Sequence, residues 1–338
     1  MNKILKLFKE EYVIDLFRKE VLPLYPDFSD VKIKKIKAHK DGIWEETYHV
    51  VIEYRCVFIS RDGKRVKLPI FCTAHSEEPR KNVYVVLKYL WDRGFGKGYL
   101  TIPHPLFYSE YFRGTFYRGV EGHHLYHFIG RNNFEEVERV TAKAAYWFAK
   151  LHNLSTETAK NFNKENSRIE TVFPGVDHIL YRIKERNQEH YDTYKKIYDI
   201  IIKKENEFLN STKERWFVHG DAHPENVIRM GKKKIAAIDF TDLCLSDFAR
   251  DIGTFIQQLD YMCSRKIADA SFAPKVKKIF LDNYFEKAKV KLNNDVQKRI
   301  DIYYNYTAIR TATFFLLKAD REPERAFPLI EIVKKNLL

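Results

Sequence analysis

Apolar and polar positions alternate through much of the first hundred residues. "VKIKKIKAH" (31–39) and "ETYHVVIEYRCVFIS" (46–60) have the two-residue period of half-buried strands. Asp41-Gly42, inside "KDGIWE", predicts the turn between them, and Asp62-Gly63 predicts a second turn into "KRVKLPIFCTAH" (64–75). The period then changes. In "EPRKNVYVVLKYLWDRGFG" (78–96), Val83, Val86, Leu87 and Leu90 fall at helical spacing and Gly94 marks the end. Two shorter strands are predicted around "HPLFYSEYF" and "TFYRGV".

From Asn133 the helical period dominates. Asn133 followed by Glu136 forms a capping-box pattern, in which the Asn side chain accepts an orphan backbone N–H. Phe134, Val137, Val140, Ala144, Phe148 and Leu151 continue it as one apolar stripe. Helices are predicted over 176–209 and from Ala249 onward. Between them "WFV" precedes a hairpin whose strands, "NVIRM" and "KKIAAIDF", flank Gly231-Lys232-Lys233. The expected fold class is therefore α+β: a small β-rich lobe, 1–117, a crossover at Arg118-Gly119-Val120, and a larger, mainly helical lobe, 118–338. The hairpin is expected within that larger lobe.

Composition narrows the class. With 45% hydrophobic and 31% charged residues the chain is globular rather than disordered or fibrous. Its formal charge of +13 raises the question of a nucleic-acid partner. The lysines, however, sit in mixed-sign runs such as "KKIYDIIIKKENEF", which read as solvated helix faces and argue against nucleic acid. The four cysteines lack CxxC spacing and lie in apolar or mixed segments, which suits reduced, packed thiols. No apolar run reaches membrane length, and charges interrupt "MNKILKLFKEEYVIDLF" every few residues. A soluble, cytoplasmic protein without a membrane span is expected.

The candidate chemistry lies in "WFVHGDAHPENVI" (216–228). Asp221 and Asn226 follow an apolar strand, and Asp239 ends another, "KIAAID". A carboxylate at the end of such a strand is costly to bury alone and calls for a cation. Asn226 can offer an amide oxygen to the same ion. Magnesium suits this donor set, because it takes few protein oxygens and completes its shell with water and substrate phosphates. Asp221 is then placed to accept a proton from an attacking hydroxyl, the arrangement of phosphoryl transfer. Taken singly, each of these residues also reads as a polar cap in a loop. The ordered set is what points to chemistry.

"HGDAHPENVI" followed by "AAIDFTDLCLSDFARDIG" resembles the aminoglycoside phosphotransferase and choline kinase-like family, whose fold is that of the protein kinases. The resemblance implies that Asp221 is the catalytic base and that Asn226 and Asp239 are Mg2+ ligands. It implies ATP or GTP as phosphate donor, with the base bound by the backbone of Arg118, Gly119 and Val120. It also implies that Asp247 and Asp251 brace the loop. Leu151-His152 resembles the family's "LH", and "VEGHHLYHFI" its segment after the hinge. His123, His124 and His127 fall in that segment and the helix after it, although they also offer metal-ligand chemistry. The implied acceptor is a sugar, an aminoalcohol, an aminoglycoside-like compound or a lipid-linked saccharide, with Asp242 as the residue best placed to receive a cationic one.

One part of the pattern fails. The family's third strand carries a lysine that pairs with a glutamate on the next helix. Here that position falls at Thr73, and Lys81 stands near the glutamate position. Lys67 lies six residues away, about 20 Å along a strand, and cannot replace it. Lys40, the first-strand lysines Lys34, Lys35 and Lys37, or His75 are the remaining candidates. The turn also holds only Gly42 where a glycine-rich phosphate cradle is usual. The competing expectation is a kinase-fold protein that binds a nucleotide or a partner without transferring phosphate.

Overall fold

A computed structural model describes residues 2–78 and 80–338 of the chain. A 3-10 turn leads into α1 (Glu10–Glu20), followed by β1 (Phe28–Ile43), β2 (Tyr48–Ser60) and β3 (Arg65–His75). Then come α2 (Lys81–Leu90), β4 (Leu100–Thr101), β5 (His104–Ser109) and β6 (Gly114–Arg118). A two-residue strand, β7 (His123–His124), precedes α3 (Leu125–Ile129), α4 (Phe134–His152), α5 (Val176–Arg186) and α6 (Tyr191–Ser211). The next elements are β8 (Trp216–Val218), β9 (Val227–Met230), β10 (Lys234–Ala237) and β11 (Cys244–Ser246). Four helices follow: α7 (Ala249–Lys266), α8 (Phe272–Lys287), α9 (Asn294–Leu317) and α10 (Pro323–Leu337). A β-sheet region followed by a helical region is the α+β order expected from the sequence.

The elements form two compact units. The first joins residues 1–122 to 228–241, and the second joins 123–227 to 242–338. In the first unit an antiparallel sheet runs β1-β2-β3-β6-β5. Val50, Ile52 and Tyr54 on β2 point into a core shared with Val13 and Phe17 of α1, as a two-residue period requires. The Tyr54 hydroxyl, buried in that core, donates to the Leu7 carbonyl at 3.0 Å.

Two expectations are corrected here. Asp41 and Gly42 do not form the first turn. They remain in β1, opposite Val50 and His49, and Lys40 lies opposite Val51. The chain reverses at 44–47 instead, where Asn2 Nδ2 donates to the carbonyls of Trp44 and Thr47. Gly42 has a packing reason: a Cβ there would lie 2.9 Å from the Trp44 ring. The second correction concerns the hairpin. Its residues from Ile228 group with the N-terminal residues, because β10 pairs in parallel with β4.

The second unit is helical. Asn133 caps α4 as the sequence predicts, accepting from the Glu136 N–H at 3.3 Å. Val137, Val140, Ala144, Phe148 and Leu151 are buried. Phe134, expected in that stripe, is 44% exposed, although its ring meets Phe272 at 4.8 Å between centroids. It occupies the first turn, before α4 enters the core. β8 and β11 pair antiparallel, bringing Val218 opposite Cys244. All four cysteines are free and buried. Burial pushes the thiols of Cys56, Cys244 and Cys263 up to about 12. No helix among the described residues is long and apolar enough to cross a membrane.

Candidate active site

The Asp221 loop leaves β8 directly and is held from below by α7. Asp251, in the first turn of that helix and buried, accepts from the backbone N–H groups of His219 at 2.7 Å and Gly220 at 3.1 Å. His152, at the end of α4, contributes Nε2 to the same carboxylate at 3.1 Å and sets Nδ1 against the Tyr284 hydroxyl at 2.8 Å. Burial alone would raise the Asp251 carboxyl, but His152, His219 and the His219 N–H outweigh it and hold it below its ordinary value. Asp247 turns elsewhere, pairing with Arg299 at 2.5 Å and accepting from the Ala249 N–H. Gly220 sits at φ +85°, and a Cβ there would lie 2.5 Å from the Asp242 carbonyl oxygen, so the loop cannot close this tightly with a side chain at 220.

Above this support, Asn226 Nδ2 donates at 2.9 Å to both the carbonyl and the carboxylate of Asp221. Its amide oxygen is thereby turned away from Asp221, and a hard cation is the ligand that suits it. His223 Nε2 lies 3.3 Å from the Asp221 carboxylate. Burial works to raise Asp221, yet His223, His219 and Asn226 bring it down to about 2. The side chain stays 44% exposed, so its free oxygen remains accessible.

A cavity of about 800 Å3 opens beside the loop within the same unit. Gly220, Asp221, His223 and Asp242 line one side, and α7 and α9 the other. Asp242 accepts from Asn166 Nδ2 at 2.6 Å.

The first unit has its own cavity, about 500 Å3, which collects Lys40, Thr73, Gly119, Val120 and Asp239. Its walls include Val51, Phe71, Leu87, Tyr117 and Ile238, with the Phe71 and Tyr117 rings parallel at 5.8 Å. Arg118 is not among its lining residues; its guanidinium faces the Tyr25 ring at 5.8 Å. The Gly119 N–H is already committed to the Pro69 carbonyl at 2.9 Å. Asp239 is exposed and adopts φ +63°, a left-handed backbone that Asp tolerates better than most residues. Its Oδ1 accepts from the Thr241 hydroxyl at 2.9 Å.

Two residues in this cavity were not anticipated from sequence. Arg80 and His49 both line it. The Arg80 side chain is only 14% exposed, and among the described residues its Nε has no partner. Its Nη2 lies 3.4 Å from His49 and 3.5 Å from Glu78. Burial, then Lys40 and Arg80, push the His49 imidazole down to about 4. The signal for Arg80 was its place just ahead of α2. Of the other candidates, His75 is engaged through Nδ1, which accepts the N–H groups of Glu77 and Glu78, and Lys81, at the glutamate position, pairs with Glu110 at 2.6 Å.

His124 caps α3, accepting from the His127 N–H, and the His123 and His127 rings stack at 4.0 Å. No group of three or more His, Cys, Asp or Glu side chains is arranged to hold a metal among the described residues.

A family model described as the phosphotransferase enzyme family, APH, matches residues 36–289. No curated protein matches in a sequence comparison. Among solved structures, the ethanolamine kinase of Plasmodium vivax superposes with a TM-score of 0.54 at 14% identity, covering 89% of this chain and 81% of its own. The choline kinase LicA of Streptococcus pneumoniae gives 0.54 at 12% identity, with 96% of this chain and 99% of its own covered. The ternary complex of streptomycin, ATP and APH(2")-IIa gives 0.53 at 13%, with 96% and 95% covered. At these identities the likeness is one of fold.

Proposed function

The chain belongs to the APH phosphotransferase enzyme family, and on that premise we propose that it is a magnesium-dependent kinase transferring the γ-phosphoryl group of ATP or GTP to a hydroxyl of a small molecule. The observation that carries this reading is the Asp221–Asn226 pair, locked by Asp251 beside a cavity large enough for an acceptor. Residues 1–117 supply most of the nucleotide side in this reading, and 118–338 the catalytic and acceptor side. The place of action is the cytoplasm, whose reducing conditions suit four free, buried cysteines.

Each residue then has a task. The free oxygen of Asp221 orients the acceptor hydroxyl and takes its proton as the oxygen bonds to phosphorus and the nucleoside diphosphate leaves. A carboxylate held at about 2 is a weak base, so orientation is its larger contribution and proton transfer comes late. Asn226 and Asp239 offer oxygens to magnesium, which when bound neutralises phosphate charge. The donor set is all oxygen, and the turned amide of Asn226 fits that use. Lys40, Arg80 and Thr73 contact the phosphates, with Arg80 and Lys40 standing in for the missing third-strand lysine. Gly119 and Val120 border the nucleotide base, and Asp242 faces the acceptor. A sugar, an aminoalcohol and an aminoglycoside-like compound are the acceptor classes at this level.

The test is calorimetric titration of ATP and GTP with and without magnesium, then a phosphotransfer screen over hydroxylated metabolites. Magnesium-dependent binding followed by nucleoside diphosphate formation with an acceptor is expected. Absence of magnesium-dependent binding sinks the proposal. Binding without transfer across the screen favours the non-catalytic alternative, which Thr73 supports.

A further inference from the structure

The charge lining the cavity beside Asp221 is segregated. Its carboxylates, Asp221, Glu225 and Asp242, all belong to the loops at one side. Among the described residues that line it from α7, α9 and α10, there is no Asp or Glu, but there are Arg250, Arg265, Lys266, Arg310 and Arg325. Along α7 the lining positions recur every three or four residues, from Arg250 through Thr254 and Gln258 to Tyr261 and Arg265, so a single helix face forms this wall.

These cations are not equivalent. Arg250 is buried and structural: Nη1 donates to the Asn166 carbonyl and Nη2 to the Gly220 carbonyl at 3.4 Å. Arg325 is already paired with Glu322 at 2.5 Å. Arg265 and Lys266 close the last turn of α7, where the helix dipole alone accounts for basic residues. Arg310 has no such account. It sits within α9, half-buried, and among the described residues donates to the Tyr306 hydroxyl at 2.9 Å and the Phe173 carbonyl at 3.0 Å, both neutral. Burial opposes its charge and so does the neighbouring Arg250, but Tyr306 and Tyr198 outweigh them and hold the guanidinium above its ordinary value.

Between the loops and these cations lies a neutral polar band. Thr254 and Thr307 share a hydrogen bond at 2.9 Å, and Gln258 donates to Thr311 at 2.8 Å. Hydroxyl and amide groups of this kind match the hydroxyls of a polyol.

We infer that the acceptor is a polyhydroxylated compound bearing an anionic group, a phosphate or a carboxylate, which Arg310 receives while a hydroxyl meets Asp221. A guanidinium fork recognises either group with two parallel bonds. A cationic acceptor would find its like charges on the helical wall.

The inference rests on the phosphotransferase reading, and one set of samples separates the two. The full chain with 15N-labelled arginine is titrated with inorganic phosphate, gluconate and tetramethylammonium while the arginine Nε–H signals are followed. Magnesium-ATP binding is followed on the His49 ring of the same protein and reports on the phosphotransferase reading alone. Phosphate, gluconate or both are expected to shift the Arg310 signal saturably, and the stronger of the two identifies the anionic group. Arg310→Gln should weaken that binding at least roughly tenfold, the loss of one charge-assisted contact. Arg310→Lys, which keeps the charge without the fork, should recover part of that binding, and Arg265→Gln, at an exposed helix end, should leave it unchanged. A saturable response to tetramethylammonium instead of the anions, or no response to any probe, overturns the inference even where ATP still binds.

Discussion

The Asp221 loop is held by several fixed neighbours. Asp251 takes two backbone donors, Asn226 grips Asp221 twice, and Gly220 packs against the Asp242 backbone. In the Thr73 cavity the positive groups come from separate elements, Lys40 from β1 and Arg80 ahead of α2, with the neutral imidazole of His49 from β2 beside them. On the proposed function the two regions would face different demands. Orienting a hydroxyl requires particular atoms held to within fractions of an ångström. Binding phosphates requires positive charge within reach, and several backbone positions can supply it. The first demand preserves a motif, whereas the second lets it disperse.

The largest effect expected from breaking this contrast is at Asp221. Asp221→Asn should lower phosphotransfer roughly 10²–10⁴-fold while magnesium-nucleotide affinity stays nearly unchanged. Initial rates beside calorimetric titration check it, and an equal loss in both would merge the two regions into one. Next comes the dispersed grip. Arg80→Gln and Lys40→Ala should each weaken nucleotide binding roughly 10- to 100-fold, the range for a hydrogen bond to a charged group. Thr73→Lys added to either variant should recover part of the loss; unchanged affinity in both single variants would leave the phosphates without their proposed partners.

A smaller effect concerns His49. Its imidazole lies at about 4 because burial and two cations disfavour its charge. Bound phosphates reverse the local sign, so its pKa should rise on nucleotide binding and affinity should tighten as pH falls toward that value. Proton titration by NMR, with and without nucleotide, measures the shift. The smallest effect is at Asp221 itself. Its pKa is depressed, so the stability it lends the loop is fully present above the ordinary carboxylate range and lost as pH falls through about 2. Its carboxyl 13C shift should therefore stay flat between neutral pH and about pH 4.

The same contrast explains what was legible beforehand. Period and turn residues located the helices and most strands, and the spacing of Asp221, Asn226 and Asp239 located the candidate chemistry. Asp41-Gly42 misled because a turn dipeptide is a local signal, and β1 continued through it by pairing with Val50 and His49. The hairpin misled for a similar reason: nothing within 227–237 announces that Leu100 and Thr101 will pair with Ile235 and Ala236. Arg80 stayed hidden because its use depends on where β2 brings His49, which neither stretch states alone.

α7 is asked for two things along its length. Its first turn, through Asp251, holds the reactive loop in place, and its later turns, at Thr254, Gln258, Met262 and Arg265, touch whatever occupies the neighbouring space. In hereditary terms these are separable traits on one element. On the proposed function, single-codon changes in the later turns would revise which compound is accepted while the first turn stays untouched. A lineage carrying this helix would then have small steps open to it from one acceptor to another.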